Sequence, residues 1–126
     1  MANRRALVTG GSGDIGGAIA RALATEGCEG LVHAHAGIER AQEVVDAIRV
    51  GGGSAAVIAF DLTDGEATQA ALEQALTAGP IQVLVNNAGI HDDAPLAGMR
   101  EAQWHRVIDV SLHGFFHVNR PLLLPM

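Results

Sequence analysis

Three observations predict a doubly wound α/β fold. Short apolar runs alternate with amphipathic helical patterns, the connections between them are brief, and a glycine-rich turn leaves the first apolar run and opens the first helical one. Alternation of this kind implies parallel strands joined by right-handed crossovers. The 126 residues amount to one domain over positions 1–126, because domains usually run to about 100 to 200 residues. A second catalytic domain is not expected. With 48% hydrophobic and 17% charged residues, the chain has enough apolar surface to bury a core.

Each element has its own local reason. Ala6 to Val8 is a short apolar run entering the glycine turn, and Ile15 to Ala24 then carries apolar residues at helical spacing. Leu31 to Ala36 reads as the second strand. Ile38 to Val50 places Ala41, Val44, Val45 and Ile48 on one helix face and stops at the glycines at 51 to 53. Ala55 to Phe60 is a continuous apolar run too short for a helix, which suits a strand buried on both faces. Thr63 or Asp64 is placed to cap a third helix running through Ala67, Ala71, Leu72 and Ala75 to Gly79. Ile81 to Val85 is a fourth strand, followed by the loop Asn86-Asn87-Ala88-Gly89. Met99 to Leu124 reads as one or two helices, the last kinked by Pro121, which lacks a backbone donor.

Composition excludes several function classes. There is no Tyr, and all eight basic residues are Arg, so no Lys is present either. Chemistry within this chain that needs a phenol or an ε-amine is ruled out. A net charge of -6 and a pI near 5.3 argue against nucleic acid or an acidic membrane surface as main partner, since both demand a basic patch. Arg4 and Arg5 read as a solvated terminus. The one cysteine, Cys28, has no internal disulfide partner and reads as a small buried hydrophobe, with a reducing cytoplasm the default compartment. The start lacks the apolar core of a signal peptide, and no apolar stretch reaches about 18 residues. A soluble, cytoplasmic protein is expected.

Gly11-Ser12-Gly13-Asp14-Ile15-Gly16 has the spacing G-x-G-x-x-G at the strand-to-helix turn where its mechanism requires it. Glycines allow a tight turn and close backbone approach, and the free N–H groups at the helix start attract a pyrophosphate. The loop Thr9-Gly10-Gly11-Ser12-Gly13-Asp14-Ile15-Gly16, the pair Asp61-Leu62 after the third strand and the run Asn86-Asn87-Ala88-Gly89 together resemble the short-chain dehydrogenase/reductases. Trp104 to Leu112 and Leu122 to Met126 are similar to that family's β-ketoacyl-acyl-carrier-protein reductase branch. The resemblance covers essentially the whole chain but only the first half of the family fold. It implies a Rossmann-like NAD(P)-binding domain, truncated after the fourth strand and its following helices.

The resemblance implies cofactor contacts from Gly10, Ser12, Gly13, Asp14, Ile15 and Gly16. Asp14 stands where the family has glycine. It either caps the helix and points away from phosphate, or points inward and weakens binding by repulsion. Asp61 is implied as acceptor for the adenine amino group, with Leu62 offering its N–H; otherwise Asp61 caps the next helix. Asn87, Ala88 and Gly89 border the cofactor ribose, with Asn87 alternatively tying strands together. Where NAD-binding sheets carry an acidic residue, this chain has His33-Ala34-His35-Ala36-Gly37. That absence favours NADP(H) over NAD(H), with His35 or Arg40 as a replacement for the missing basic residue, and solvation of Arg40 as the alternative.

In the resembled family a hydride passes from nicotinamide to a carbonyl carbon while a Tyr, tuned by a Lys, donates a proton to the oxygen; a Ser polarises the carbonyl. The Ser and the Tyr-x-x-x-Lys pair would lie beyond residue 126. The family's water-ordering Asn falls on Ser111, which either keeps a shortened water contact or is a helix-surface residue. The expected reading is the dinucleotide-binding half of a reductase that, in full-length form, takes an acyl thioester substrate. This chain alone is expected to be inactive and to form a homo-oligomer through its terminal helix. A catalytically dead dinucleotide-binding or partner module is the alternative. No metal is expected: His113 and His117 share a helix face, but no third ligand accompanies them. His91-Asp92-Asp93 reads as a solvated loop.

Overall fold

The computed structural model describes residues 4–89 and 96–123, with the side chain of Leu96 excluded. His91-Asp92-Asp93 and Leu124 to Met126 lie outside the described residues. Four strands, β1 (Arg5–Val8), β2 (Glu29–Ala34), β3 (Ala55–Ala59) and β4 (Val83–Val85), form one parallel sheet in the order β3-β2-β1-β4. Leu7 registers with Leu31 on one side and Leu84 on the other, and Val8 with Val32 and Val85. Helices α1 (Asp14–Thr25), α2 (Ile38–Val50) and α3 (Gly65–Thr77) make the crossovers. After β4 come a 3-10 turn (Leu96–Gly98), α4 (Glu101–Ile108), a π-helical turn (Asp109–His113) and α5 (Gly114–Leu123).

Successive strand side chains point to opposite faces, and this alternation sorts the core into two layers. Val8 and Val32 join Ala20 of α1 and Ala41, Val44, Val45 and Ile48 of α2 on one face. Leu7 and Leu31 join Leu72 of α3, Ile81 and Val118 and Leu122 of α5 on the other. The apolar stripe of α2 is the one its spacing predicts, and Cys28 is buried.

Several boundaries depart from the sequence reading. β2 stops at Ala34 rather than Ala36: β1 leaves the ladder after Val8 opposite Val32, and the pairing with β3 ends at Ala34 opposite Ala59. β4 begins at Val83; Ile81 is buried but precedes the ladder. The terminal helical stretch breaks at the π turn of Asp109–His113, while Pro121 sits inside α5. Arg5 is not part of a solvated terminus. Its guanidinium donates to the carbonyls of Ala75 and Gly79 at the end of α3, where a cation meets the negative end of the helix dipole.

Leu72 is fully buried, so Leu72→Ala is expected to cost about 2–5 kcal/mol of unfolding free energy in urea titration. Val50 is 89% exposed, and Val50→Ala should stay within about 0.5 kcal/mol.

Candidate functional site

The order β3-β2-β1-β4 reverses between β1 and β4, and ligands of open α/β sheets bind beyond the carboxyl ends of the strands at such a point. Here the two strand ends are clasped. The Thr9 hydroxyl donates to the Val85 carbonyl and accepts from the backbone N–H groups of Asn87 and Ala88 at 3.1 and 3.0 Å. The Asn87 amide donates back to the carbonyls of Thr9 and Gly10 at 3.1 and 3.2 Å. Asn87 therefore ties the strands together, while Ala88 and Gly89 border the gap.

Two glycines are required by space. Gly10 has φ +63°, in the left-handed region, and a Cβ there would lie 2.9 Å from the Ala88 Cα. A Cβ on Gly16 would lie 2.4 Å from the Gly10 carbonyl oxygen and 2.6 Å from the Asn87 amide nitrogen. Gly13 differs, since its added Cβ meets only the Gly10 oxygen, at 3.6 Å. Gly13 occupies the cap position of α1 and supplies no side-chain cap. The start of α1 thus presents N–H groups that no side chain covers, beside a cleft of about 270 Å³ lined by Ser12, Gly13, Asp14, Arg21, Arg40 and Glu43. A dinucleotide diphosphate fits this arrangement of bare amides and excluded Cβ atoms.

Asp14 does not cap the helix. It is the first helical residue, its side chain is almost fully exposed, and its carboxylate pairs with the Arg40 guanidinium at 3.1 Å. Arg40 is therefore engaged with a carboxylate rather than solvated alone. Ile15 projects into solvent at 71% exposure, and Ser12 packs against Gly37, where a Cβ would lie 2.7 Å from the Ser12 hydroxyl.

Asp61 does not cap α3 either; Asp64 does, accepting from the Ala67 N–H at 3.1 Å. One Asp61 oxygen accepts from both the N–H and the hydroxyl of Thr63, and the other lies 3.8 Å from His35 Nε2. The Thr63 hydrogen bonds hold the Asp61 carboxyl below the usual carboxylate range. Leu62 has its side chain in the core, and its carbonyl accepts from His117 Nδ1 at 2.7 Å. Ser111 sits in the π turn against Gly89, whose added Cβ would lie 3.7 Å from the Ser111 hydroxyl. π turns of this sort recur at functional sites.

Among the described residues no group of three or more His, Cys, Asp or Glu is placed to hold a metal ion. His113 Nδ1 is bonded to the Asp109 carboxylate at 2.8 Å. No described helix is long and apolar enough to cross a membrane.

A short chain dehydrogenase family model matches residues 4–126. The chain belongs to the short-chain dehydrogenase family. It is 36% identical over 121 residues to 3-oxoacyl-[acyl-carrier-protein] reductase FabG of Aggregatibacter actinomycetemcomitans, covering 95% of this chain and 50% of that protein. Among solved structures it superposes on a dehydrogenase/reductase from Sinorhizobium meliloti 1021 with TM-score 0.93 and 38% identity, covering 98% of this chain and 50% of that one. A metagenomic short-chain oxidoreductase in complex with NADP gives TM-score 0.94 at 34% identity, covering 100% and 57%. The chain spans about half the length of the curated relatives it matches.

Sequence reasoning passed over two residues here: Thr9, the hub of the clasp, and His33, which is buried beneath the loop. Thr9 stands in the quoted motif, so its signal was available. His33 carried none, because a histidine inside an apolar strand has no spacing rule attached to it.

Gly16→Ala should lower stability by about 1–3 kcal/mol, since backbone must move to admit the methyl group, whereas Gly13→Ala should be near neutral in thermal unfolding. Burial holds the His33 imidazole below its ordinary value, against smaller opposing contributions from the Phe60 carbonyl and Asp61. The unfolded chain then binds more protons at mildly acid pH, so stability should be complete above about pH 6.5 and fall progressively below it. Asp61 adds its own loss only in the carboxylate range. Thermal melts across pH 4 to 8, in roughly unit steps, would test this order; a midpoint that rises on acidification from pH 7 would contradict it.

Proposed function

We propose that this chain is the dinucleotide-binding half of a cytoplasmic oxidoreductase that uses NADP(H) in preference to NAD(H). The full-length enzyme would reduce a 3-oxoacyl thioester carried on acyl carrier protein, a step in fatty acid synthesis. The observation that carries the dinucleotide reading is the cradle at the switch point: Gly10 and Gly16 have no room for a Cβ, and the N-terminus of α1 has no side-chain cap. When bound, the cofactor supplies a hydride. The chain's own residues bind and orient it: beside Gly13, whose N–H is bonded to the Gly10 carbonyl, the Asp14 and Ile15 amides face the diphosphate, Asp61 and the Leu62 N–H meet the adenine, and Ala88 and Gly89 leave space for the ribose. Gly10, Ser12 and Gly16 shape the loop, and Ser111 stands at the ribose side, against Gly89.

Two features support NADP(H). The residues that follow β2, His35 to Gly37, carry no carboxylate of their own, so the repulsion an acidic residue at that position would offer a 2'-phosphate is missing. Arg40 is held at the mouth of the loop by Asp14 and is within the same cleft as Ser12 and Gly13. Exchanging the Asp14 carboxylate for a phosphate would keep the guanidinium paired. The FabG relative supports the acyl thioester substrate.

This chain alone is proposed to be inactive. General acid catalysis needs a donor within reach of the carbonyl oxygen, and the sequence offers neither Tyr nor Lys. A second reading, a catalytically silent binding or partner module, is favoured by one observation. Trp104, Leu112, Phe115, Phe116 and Leu123 are all more than half exposed along α4, the π turn and α5. An apolar face of that extent suits association with a second copy through the terminal helix.

Calorimetric titration with NADPH and NADH should show the phosphorylated cofactor binding more tightly, and Arg40→Ala should reduce that preference by about tenfold, the worth of one charge-assisted contact. A preference for NADH would overturn the cofactor assignment. In the same preparation, NADPH oxidation in the presence of a 3-oxoacyl thioester should stay at background; turnover would refute the inactive-half reading.

A further inference from the structure

His33 lies on β2 directly beneath the glycine loop and is only 3% exposed. Both ring nitrogens are used. The Gly10 backbone N–H donates to Nδ1 at 3.0 Å, and Nε2 lies 2.8 Å from the Phe60 carbonyl oxygen. Because an N–H can only donate and a carbonyl can only accept, the pair of contacts admits one form of the ring: neutral, with the proton on Nε2. The imidazole also packs on the Phe60 ring, with centroids 4.2 Å apart. The His33 backbone acts in the same place, its carbonyl accepting from the Gly11 N–H at 2.8 Å.

We infer that His33 is a positioning residue for the nucleotide loop: its neutral imidazole ties the left-handed turn at Gly10 to Phe60, the residue before Asp61, so that the diphosphate and adenine ends of the site are held in one register. Gly10 is the residue whose φ of +63° sets the direction of the loop, and its N–H finds its acceptor in this ring rather than in a strand ladder. A proton added at Nδ1 would set two donors against each other and release the turn. The surroundings resist that proton. The ring is desolvated, and the titratable groups that act on it are His35, beyond the end of β2, and Asp61, after β3, with opposite signs. The tether stands on geometry alone; its consequence for cofactor affinity rests on the dinucleotide reading above.

The test has two arms on the 126-residue chain. In the first, nitrogen-15 spectra of the ligand-free protein report the His33 ring and the Gly10 amide during acidification. The expected spectrum shows Nδ1 unprotonated and Nε2 protonated at neutral pH, with the Gly10 amide shifting at the same midpoint as the His33 ring. An Nδ1–H tautomer, or a Gly10 amide indifferent to His33 titration, would overturn the inference. In the second, NAD+ is titrated at a series of pH values against the native chain and His33→Gln, whose amide offers an acceptor and a donor but does not ionise. NAD+ lacks the 2'-phosphate, which would otherwise titrate in this range. Native affinity should fall by about tenfold per pH unit once His33 protonates, and the fall should be absent in His33→Gln. Identical pH profiles would reject the coupling. Absence of NAD+ binding at every pH, together with the expected spectrum, would sink the dinucleotide reading and leave the tether supported.

Discussion

The site depends on one contact between two parallel strands that are far apart in sequence. At the switch point the Thr9 hydroxyl and the Asn87 amide satisfy five backbone groups between them, across the ends of β1 and β4. Buried backbone donors and acceptors must find partners, and where strands diverge the ladder no longer supplies them. Two short polar side chains do so instead. Their reach fixes how closely the loop after β1 approaches the loop after β4, which is why Gly10 and Gly16 have no space for a side chain.

A site built this way works through main-chain dipoles, and its tolerance of side-chain change follows. Asp14 turns outward to Arg40 and does not cover the amides at the start of α1. Gly13 is free of close contact and carries no steric demand. Arg40, His35 and Gly37 lie on the rim of the loop, while the contacts that shape the loop lie beneath it, in Thr9, Asn87 and His33. The half-exposed apolar side chains of α4 and α5 reach this region too, since Phe115 shares a small pocket with Thr9, Ala88 and Ser111.

Much of the fold was legible in the sequence because hydrophobic period records burial directly. The stripe Ala41, Val44, Val45, Ile48 is the buried face of α2, and the parallel sheet that the alternation implies is the one found. Boundaries were less legible: β2 ends where its ladder with β3 ends, a fact about Ala59 and its neighbours rather than about His35 or Ala36. Polar partnerships were the least legible. Asp14, Asp61 and Asp64 are equivalent as cap candidates on the page of residues, and only the backbone direction assigns them to an ion pair, a turn and a cap respectively. Arg5 shows the same thing, since the acceptors at the helix end that receives it are 70 and 74 positions away. The π turn that sets Ser111 against Gly89 carries no sequence signal either.

A crystal structure of the chain grown with NADP+ is the most direct examination of the central claim, that bare amides at the mouth of the first loop hold a diphosphate. The account predicts phosphate oxygens within hydrogen-bond distance of the Asp14 and Ile15 amides, with the Thr9 and Asn87 contacts unchanged. Nucleotide bound elsewhere on the molecule while that mouth stays filled with water would contradict it.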